Sequence, residues 1–435
     1  MGIKTVTVIG ANGTMGCNIA GIFAAFGECK VYMVARNKDK AESAREKAAM
    51  SVKGETVENN LIPASYSELE SCIKESDIIF ESVAENMDLK REINQMINQY
   101  ADAHQIICTG TSGISVNRLS ECFKEQLKKR FLGIHFFNPP YNMTLCEMIP
   151  GQHTDKTMVE ELKEYLNEKL LRTIVQVKDS PAFLGNRIGF QFINEAIIYA
   201  EKYKYSGGID YIDAILGQFT GRSMAPIVTA DFVGLDVHKA IVDNIYASTN
   251  DYAHETFRMP DFLNSMIAKG DLGRKAGKGL YQTVKNPDGT KRYYVYDILK
   301  DTYREKYNYS FPFVEDIIAS LRVGDYNKAF RDLLDNHSEE AEICVGFLVR
   351  YVIYALKVTK EIGDTIAAAD DVMATGFNWV PPLAVIDAFG GEKAFLELCE
   401  SRLDTSMLNK LDIYSLISDL PKSEYDYRRF FRAKH

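Results

Sequence analysis

The chain has 435 residues, 46% of them hydrophobic and 26% charged, enough for two or three domains each with its own core. Its net charge of −9 and pI of about 5.5, without a long basic run, exclude a duplex-binding stripe, so nucleic acid is not an expected partner. No apolar stretch approaches the ~20 residues of a membrane span, and no signal segment precedes the first strand pattern; eight scattered cysteines without a Cys-x-x-Cys pair fit reduced thiols, no metal site and a cytoplasmic location.

Residues 3–16 run as a β-branched strand into Gly10-Ala11-Asn12-Gly13-Thr14-Met15-Gly16 and then an Ala-rich helical stretch, 17–26. Glycines there let backbone approach a pyrophosphate, and a helix N-terminus offers it free N–H groups. The spacing is Gly-x-x-Gly-x-x-Gly, one residue longer than the usual fingerprint. A second strand, 30–34, follows and ends Ala35-Arg36. Further strands are expected at 78–81, 105–108, 130–135, 145–149 and 173–177, alternating with amphipathic stretches as in parallel β-α-β units. The expected fold class is an α/β Rossmann-type nucleotide-binding domain followed by an all-α domain.

The run Gly133-Ile134-His135-Phe136-Phe137-Asn138-Pro139 is followed, twelve residues after the histidine, by Glu147. A carboxylate against one imidazole nitrogen fixes the tautomer and frees the other nitrogen to take a hydroxyl proton. The bland reading, a histidine satisfied within a core, stays open at this point. After Asp179-Ser180-Pro181 helical periodicity takes over at 185–203, 209–216, 236–246 and 262–268. A turn around Asn286-Pro287-Asp288-Gly289 then predicts a hairpin.

Pro226-x4-Asp231-x2-Gly234 and Pro382-x4-Asp387-x2-Gly390 share one pattern, each downstream of an Ile-Tyr-Ala at Ile198 and Ile353 by 28 and 29 residues. Two matched features at nearly one offset point to a tandem, degenerate second helical repeat. The expected domains are 1–180, nucleotide-binding; 181–283, helical; 284–315, hairpin and linker; and 316–435, second helical copy and tail.

With these motifs in hand, the chain resembles the L-3-hydroxyacyl-CoA dehydrogenase family over roughly residues 3–282. Carrying the likeness are Glu81-Ser82-Val83-Ala84-Glu85 to Lys90, Thr109-Gly110-Thr111-Ser112, His135 to Pro139, Glu147 to Gly151, Asp179 to Arg187, Phe232 to Asp236 and Gly273 to Tyr281. The resemblance implies His135 as general acid/base, Glu147 as its orienting partner, and Ser112 and Asn186 at the substrate's reacting oxygen. It also implies Glu85 and Lys90 along the cofactor's ribose and nicotinamide side, with Gly10, Asn12, Gly13, Thr14, Met15 and Gly16 at the phosphates. Each of three residues keeps an alternative: Ser112 closing a turn, Asn186 capping a helix, Lys90 a solvated helix charge.

Two departures refine the expectation. Where an NAD-binding member places an Asp on the ribose hydroxyls this chain has Ala35 followed by Arg36, which favours NADP(H) over NAD(H) because a guanidinium forks onto a 2′-phosphate. The stretch 47–62, with Gly54 and Asn59-Asn60, reads as too short for a full helix pair, which leaves open whether the small-molecule substrate is a CoA thioester or a free hydroxy acid or diketone. Arg222, in Gly221-Arg222-Ser223-Met224-Ala225-Pro226, is a second candidate for an anionic substrate. A non-catalytic nucleotide-binding module is the rival class. The expected assembly is a monomer, or a dimer using other contacts.

Overall fold

The computed structural model describes residues 1–52 and 55–431, so Gly54 lies outside the described residues, as does the end of the C-terminal tail. Two compact units are present. The first comprises Met1–Leu184 with Ile362–Asp364 and Thr375–Phe377; the second comprises Gly185–Glu361, Thr365–Ala374 and Asn378–His435.

The first unit is an eight-stranded sheet of order β3-β2-β1-β4-β5-β6-β7-β8, formed by β1 (Thr5–Ile9), β2 (Lys30–Ala35), β3 (Leu61–Ser65), β4 (Ile78–Glu81), β5 (Ile106–Thr109), β6 (Phe131–Phe136), β7 (Leu145–Pro150) and β8 (Thr173–Gln176). The parallel strands are short apolar runs because helices cover both faces, and Val6, Val8, Ile78 and Phe80 have no exposed surface. Chain order reverses between β1 and β4, the place where open α/β sheets present a ligand crevice at their strand C-termini.

Three features differ from the sequence expectation. β3 is a strand that the pattern did not reveal, because Pro63 interrupts it; the proline is tolerated since β3 is the sheet edge and pairs only with β2. β7 runs antiparallel to β6, not parallel, because the connection 137–144 is far shorter than a crossover requires. Between β2 and β3 the chain forms helix Lys38–Val52 and then a second, six-residue helix, Glu55–Asn60, where no helix pair was expected.

The second unit is helical around Gly185–Lys202 and the 24-residue Glu339–Ile362; Phe192 of the former packs edge-on against Phe347 and Tyr351 of the latter and against Trp379. The expected hairpin is present as β9 (Tyr281–Lys285) and β10 (Lys291–Asp297), and an unforeseen third strand, β11 (Thr302–Glu305), pairs with β10. Pro226 and Pro382 each open a helix, Pro226–Val233 and Pro382–Ala388, as suits a residue without an N–H. In both, the next backbone N–H donates to a buried aspartate from upstream: Ile227 to Asp213 at 2.8 Å and Leu383 to Asp370 at 2.8 Å. Among the described residues no helix is long and apolar enough to cross a membrane, and no cluster of His, Cys, Asp or Glu could hold a metal ion.

Candidate active site

The glycine loop leaves β1 with Gly10 at φ +83°, a conformation that favours glycine, and the N–H groups of Gly10 and Ala11 both donate to the Val34 carbonyl. A Cβ on Gly10 would lie 2.6 Å from the Ser82 carbonyl oxygen, and one on Gly16 2.5 Å from that of Gly10. These two glycines are therefore demanded by the chain's own packing. Gly13 is different: a Cβ there would meet nothing nearer than 3.4 Å. Gly13 precedes helix Thr14–Ala25 without a side-chain cap, the first turn carries no acid, and Asn12, Gly13 and Thr14 are exposed. Free N–H groups, positive helix dipole and an uncrowded glycine fit a pyrophosphate.

The neighbouring strand ends carry the other residues that the sequence singles out. At the end of β2, Ala35 is buried and Arg36 is exposed. After β4, Glu85 Oε1 accepts from Thr111 Oγ1 at 2.6 Å and from the N–H groups of Ser112 at 2.8 Å and Gly113 at 3.1 Å. The carboxylate thus ties the loop after β4 to the loop after β5 and sets where Ser112 stands. Lys90 is not a solvated helix charge. It is fully buried, 2.9 Å from Glu81 and 3.5 Å from Glu85 Oε2, and Thr109 Oγ1 donates to Glu81 as well. Glu81, which sequence reasoning did not single out, anchors this network.

His135 and Glu147 are direct partners in the register of β6 and β7. Nδ1 of His135 lies 2.7 Å from Glu147 Oε2, and the Leu184 N–H donates to Glu147 Oε1 at 2.9 Å. A carboxylate only accepts, so Nδ1 carries the proton and Nε2 is left with a lone pair. The imidazole is flanked by Phe137, ring centroids 4.5 Å apart, and by Phe183 at 5.7 Å. Ala182 and Phe183, both buried, hold φ of +58° and +54°. Strained backbone of this kind persists only where surroundings over-determine it, and here it aims the Leu184 N–H at Glu147.

Residues 5–180 match the family model described as 3-hydroxyacyl-CoA dehydrogenase, NAD binding domain, and residues 183–283 match its C-terminal domain. The chain belongs to the 3-hydroxyacyl-CoA dehydrogenase family. It is 30% identical over 332 residues to a probable 3-hydroxyacyl-CoA dehydrogenase of Bacillus subtilis, an alignment covering 76% of this chain but only 41% of that protein. The structure of (S)-3-hydroxybutyryl-CoA dehydrogenase from Ralstonia eutropha is 31% identical, covers 64% of this chain and 98% of its own, and superposes with a TM-score of 0.56. That of 3-hydroxybutyryl-CoA dehydrogenase from Escherichia coli K12, at 20% identity, shares the fold over 96% of this chain and 97% of its own, with a TM-score of 0.69.

Within this 3-hydroxyacyl-CoA dehydrogenase family fold, the first unit brings together the glycine loop, Arg36, Glu85, Ser112 and the His135–Glu147 pair at the strand ends. Asn186 belongs to the second unit, where it lies inside the first turn of helix Gly185–Lys202 and so is not that helix's N-cap. Arg222, the candidate for an anionic substrate, is buried among aromatic rings. The residue is 2% exposed, and its guanidinium lies 3.8 Å from the Phe192 ring centroid and 4.7 Å from that of Trp379 and donates to Thr220. Burial lowers its pKa to about 10. Sequence reasoning also gave no role to Asp179, whose carboxylate accepts from Ser115 Oγ, from the N–H groups of Val116 and Asn117 and from the Asn117 side chain, pinning the chain after β5 to the chain after β8. The only available signal was its place in the Asp179-Ser180-Pro181 motif.

Proposed function

We propose that the protein is an NAD(P)-dependent oxidoreductase that interconverts a 3-hydroxyacyl group, carried as a CoA thioester, and its 3-keto form. The observation that carries this reading is the His135–Glu147 pair, with Nδ1 committed to the carboxylate and Nε2 free. In the oxidative direction Nε2 takes the proton of the 3-hydroxyl; in the reductive direction the protonated ring returns it to the developing alkoxide. Glu147 stabilises the imidazolium that forms in between. Ser112 and Asn186 hold the reacting oxygen, as the family motifs imply. A bound nicotinamide supplies the hydride acceptor or donor.

The phosphates of the cofactor fall to the loop Gly10, Asn12, Gly13, Thr14, Met15 and Gly16. Glu85 faces the ribose and nicotinamide side, and Lys90 serves that site by charge-pairing Glu85 and Glu81. NADP(H) is favoured over NAD(H): Ala35 cannot accept from ribose hydroxyls, and exposed Arg36 offers a 2′-phosphate its fork. For the division along the chain we keep 1–180, 181–283, 284–315 and 316–435, apart from the segments 362–364 and 375–377 that return to the first unit. The aspartates that hold the Pro226 and Pro382 helices at equivalent N–H groups support a duplicated helical domain. In our reading that duplication covers an apolar face within one chain, giving a monomer or a dimer through other contacts, with no nucleic-acid partner. Eight unpaired cysteines support a reducing, cytoplasmic setting.

Fluorescence titration with NADPH and NADH, followed by addition of acetoacetyl-CoA or free acetoacetate while absorbance of the reduced nicotinamide is monitored, tests the reading. Tighter NADPH binding and oxidation with the thioester are expected. Turnover on acetoacetate alone would replace the thioester by a free acid, and binding without turnover on either would overturn the enzymatic reading.

A further inference from the structure

Two short stretches of the C-terminal third, 362–364 and 375–377, belong to the first unit although the chain around them belongs to the second. The Lys178 N–H donates to the Ile362 carbonyl at 2.8 Å, and Gly363 forms an antiparallel bridge with Val177 just past β8. From there the chain runs directly into Asp179 and the positive-φ pair Ala182 and Phe183, and so to the N–H that holds Glu147. The second stretch, 375–377, meets the start of β7. A Cβ on Gly376 would come 2.5 Å from Leu145 Cδ2, so this segment sits directly on the first residue of β7. The Phe377 ring lies 5.8 Å from that of Phe137 at a 59° tilt, and Phe137 lies 4.5 Å from His135 at the same tilt.

One hydrogen bond at Nδ1 sets which imidazole nitrogen is free but leaves the ring able to swing about that bond. The faces of the ring must be held by something else, and Phe137 and Phe183 are placed to do so. Phe183 is fixed by the strained turn. Phe137 is backed by Phe377, a residue some 240 positions further along the chain. We propose that Phe377 is a positioning residue for the acid/base pair, holding Phe137 against the His135 ring so that Nε2 keeps its aim at the substrate hydroxyl. This rests on the reading of His135 as the group that moves the substrate proton. It gives the C-terminal third of the chain a part in the chemistry, carried by a residue that does not touch the reacting atoms.

The test is Phe377→Ala, with Phe377→Leu as the conservative variant. Phe377 is half-buried, so truncation opens a surface notch and leaves no sealed cavity. The readouts are steady-state kinetics with acetoacetyl-CoA and reduced nicotinamide, and the imidazole carbon resonance of His135 labelled with ¹³C-histidine and assigned through His135→Gln. The expected result is a kcat lower by about tenfold in Phe377→Ala, in keeping with the cost of misplacing a reacting group, with cofactor KM changed less than about twofold and partial recovery in Phe377→Leu. The His135 resonance moves while that of His238, buried in the second unit, stays in place. An unchanged His135 resonance and kcat in the folded Ala variant would overturn the proposal; should that variant not fold, the same two readouts on Phe377→Leu decide. If wild-type protein turns over no thioester or free acid, the functional reading fails separately, and the His135 resonance still decides whether Phe377 holds the ring.

Discussion

His135 and Glu147 stand opposite one another across the antiparallel β6–β7 pair, so that twelve residues of sequence become a 2.7 Å contact between Nδ1 and Oε2. Both side chains are almost fully buried, and the carboxylate fixes which imidazole nitrogen is left for the substrate. Replacing Glu147 by Gln keeps the shape and removes the charge that supports the imidazolium. We expect kcat to fall by about a hundredfold or more in Glu147→Gln and further in His135→Gln, with nucleotide affinity nearly unchanged. The double variant should be no slower than His135→Gln alone, since the two act as a unit. Steady-state kinetics with a wild-type kcat for Glu147→Gln would remove the pair from the mechanism.

The glycine loop separates fold from ligand. Gly13→Ala adds a methyl with no neighbour nearer than 3.4 Å, so thermal stability should stay close to wild type while nucleotide affinity drops by about tenfold. Gly16→Ala forces a Cβ to 2.5 Å from the Gly10 carbonyl oxygen and should lower Tm markedly. Calorimetry alongside nucleotide titration distinguishes the two, and equal effects of the two variants on Tm would contradict this division.

Lys90 lies fully buried against Glu81. Lys90→Met leaves that carboxylate uncompensated, at a cost of roughly 3–5 kcal/mol, whereas the double change Lys90→Met with Glu81→Gln recovers much of the loss. Urea denaturation measures both. A single variant as stable as wild type would mean that the pair is not the anchor of the loops after β4 and β5.

A pH dependence follows from Asp370. Burial pushes its carboxyl from 3.8 up to about 7, against the opposing hydrogen bonds from Ser423 and the Leu383 N–H. The folded chain therefore holds a proton that the unfolded chain releases between those values. The stability this contributes is complete below 3.8 and is lost as pH rises to about 7, with no further loss above. Asp213, also raised to about 7 by burial, acts in the same direction. In Asp370→Asn the amide oxygen still accepts from Leu383, and the fall in Tm between about pH 5 and pH 8 should be shallower than in wild type. Parallel curves for the two proteins would show that Asp370 does not titrate in this range.

Much of the first unit was legible because its signals are local. Apolar runs of four to six residues, a glycine turn and an alanine-rich helix start follow one another in β1 and helix Thr14–Ala25, and each element is decided by steric preference and periodicity within a few residues. The same holds for the turn at Gly289 that joins β9 to β10. β3 escaped because Pro63 breaks the pattern, and only its place at the sheet edge, a tertiary property, makes the proline harmless.

The candidate site divides in the same way. The sequence by itself determined which chemistry was available: an imidazole, a carboxylate and a phosphate-sized glycine loop, since these depend on residue type and spacing. Tertiary structure alone decided their use. The β6–β7 register put Glu147 on Nδ1, packing sealed Lys90 and Arg222 away from solvent, and the return of residues 362–364 and 375–377 to the first unit placed Phe377 behind Phe137. The last of these joins segments some 240 residues apart, and its energy comes from excluding water between surfaces that no local pattern brings together.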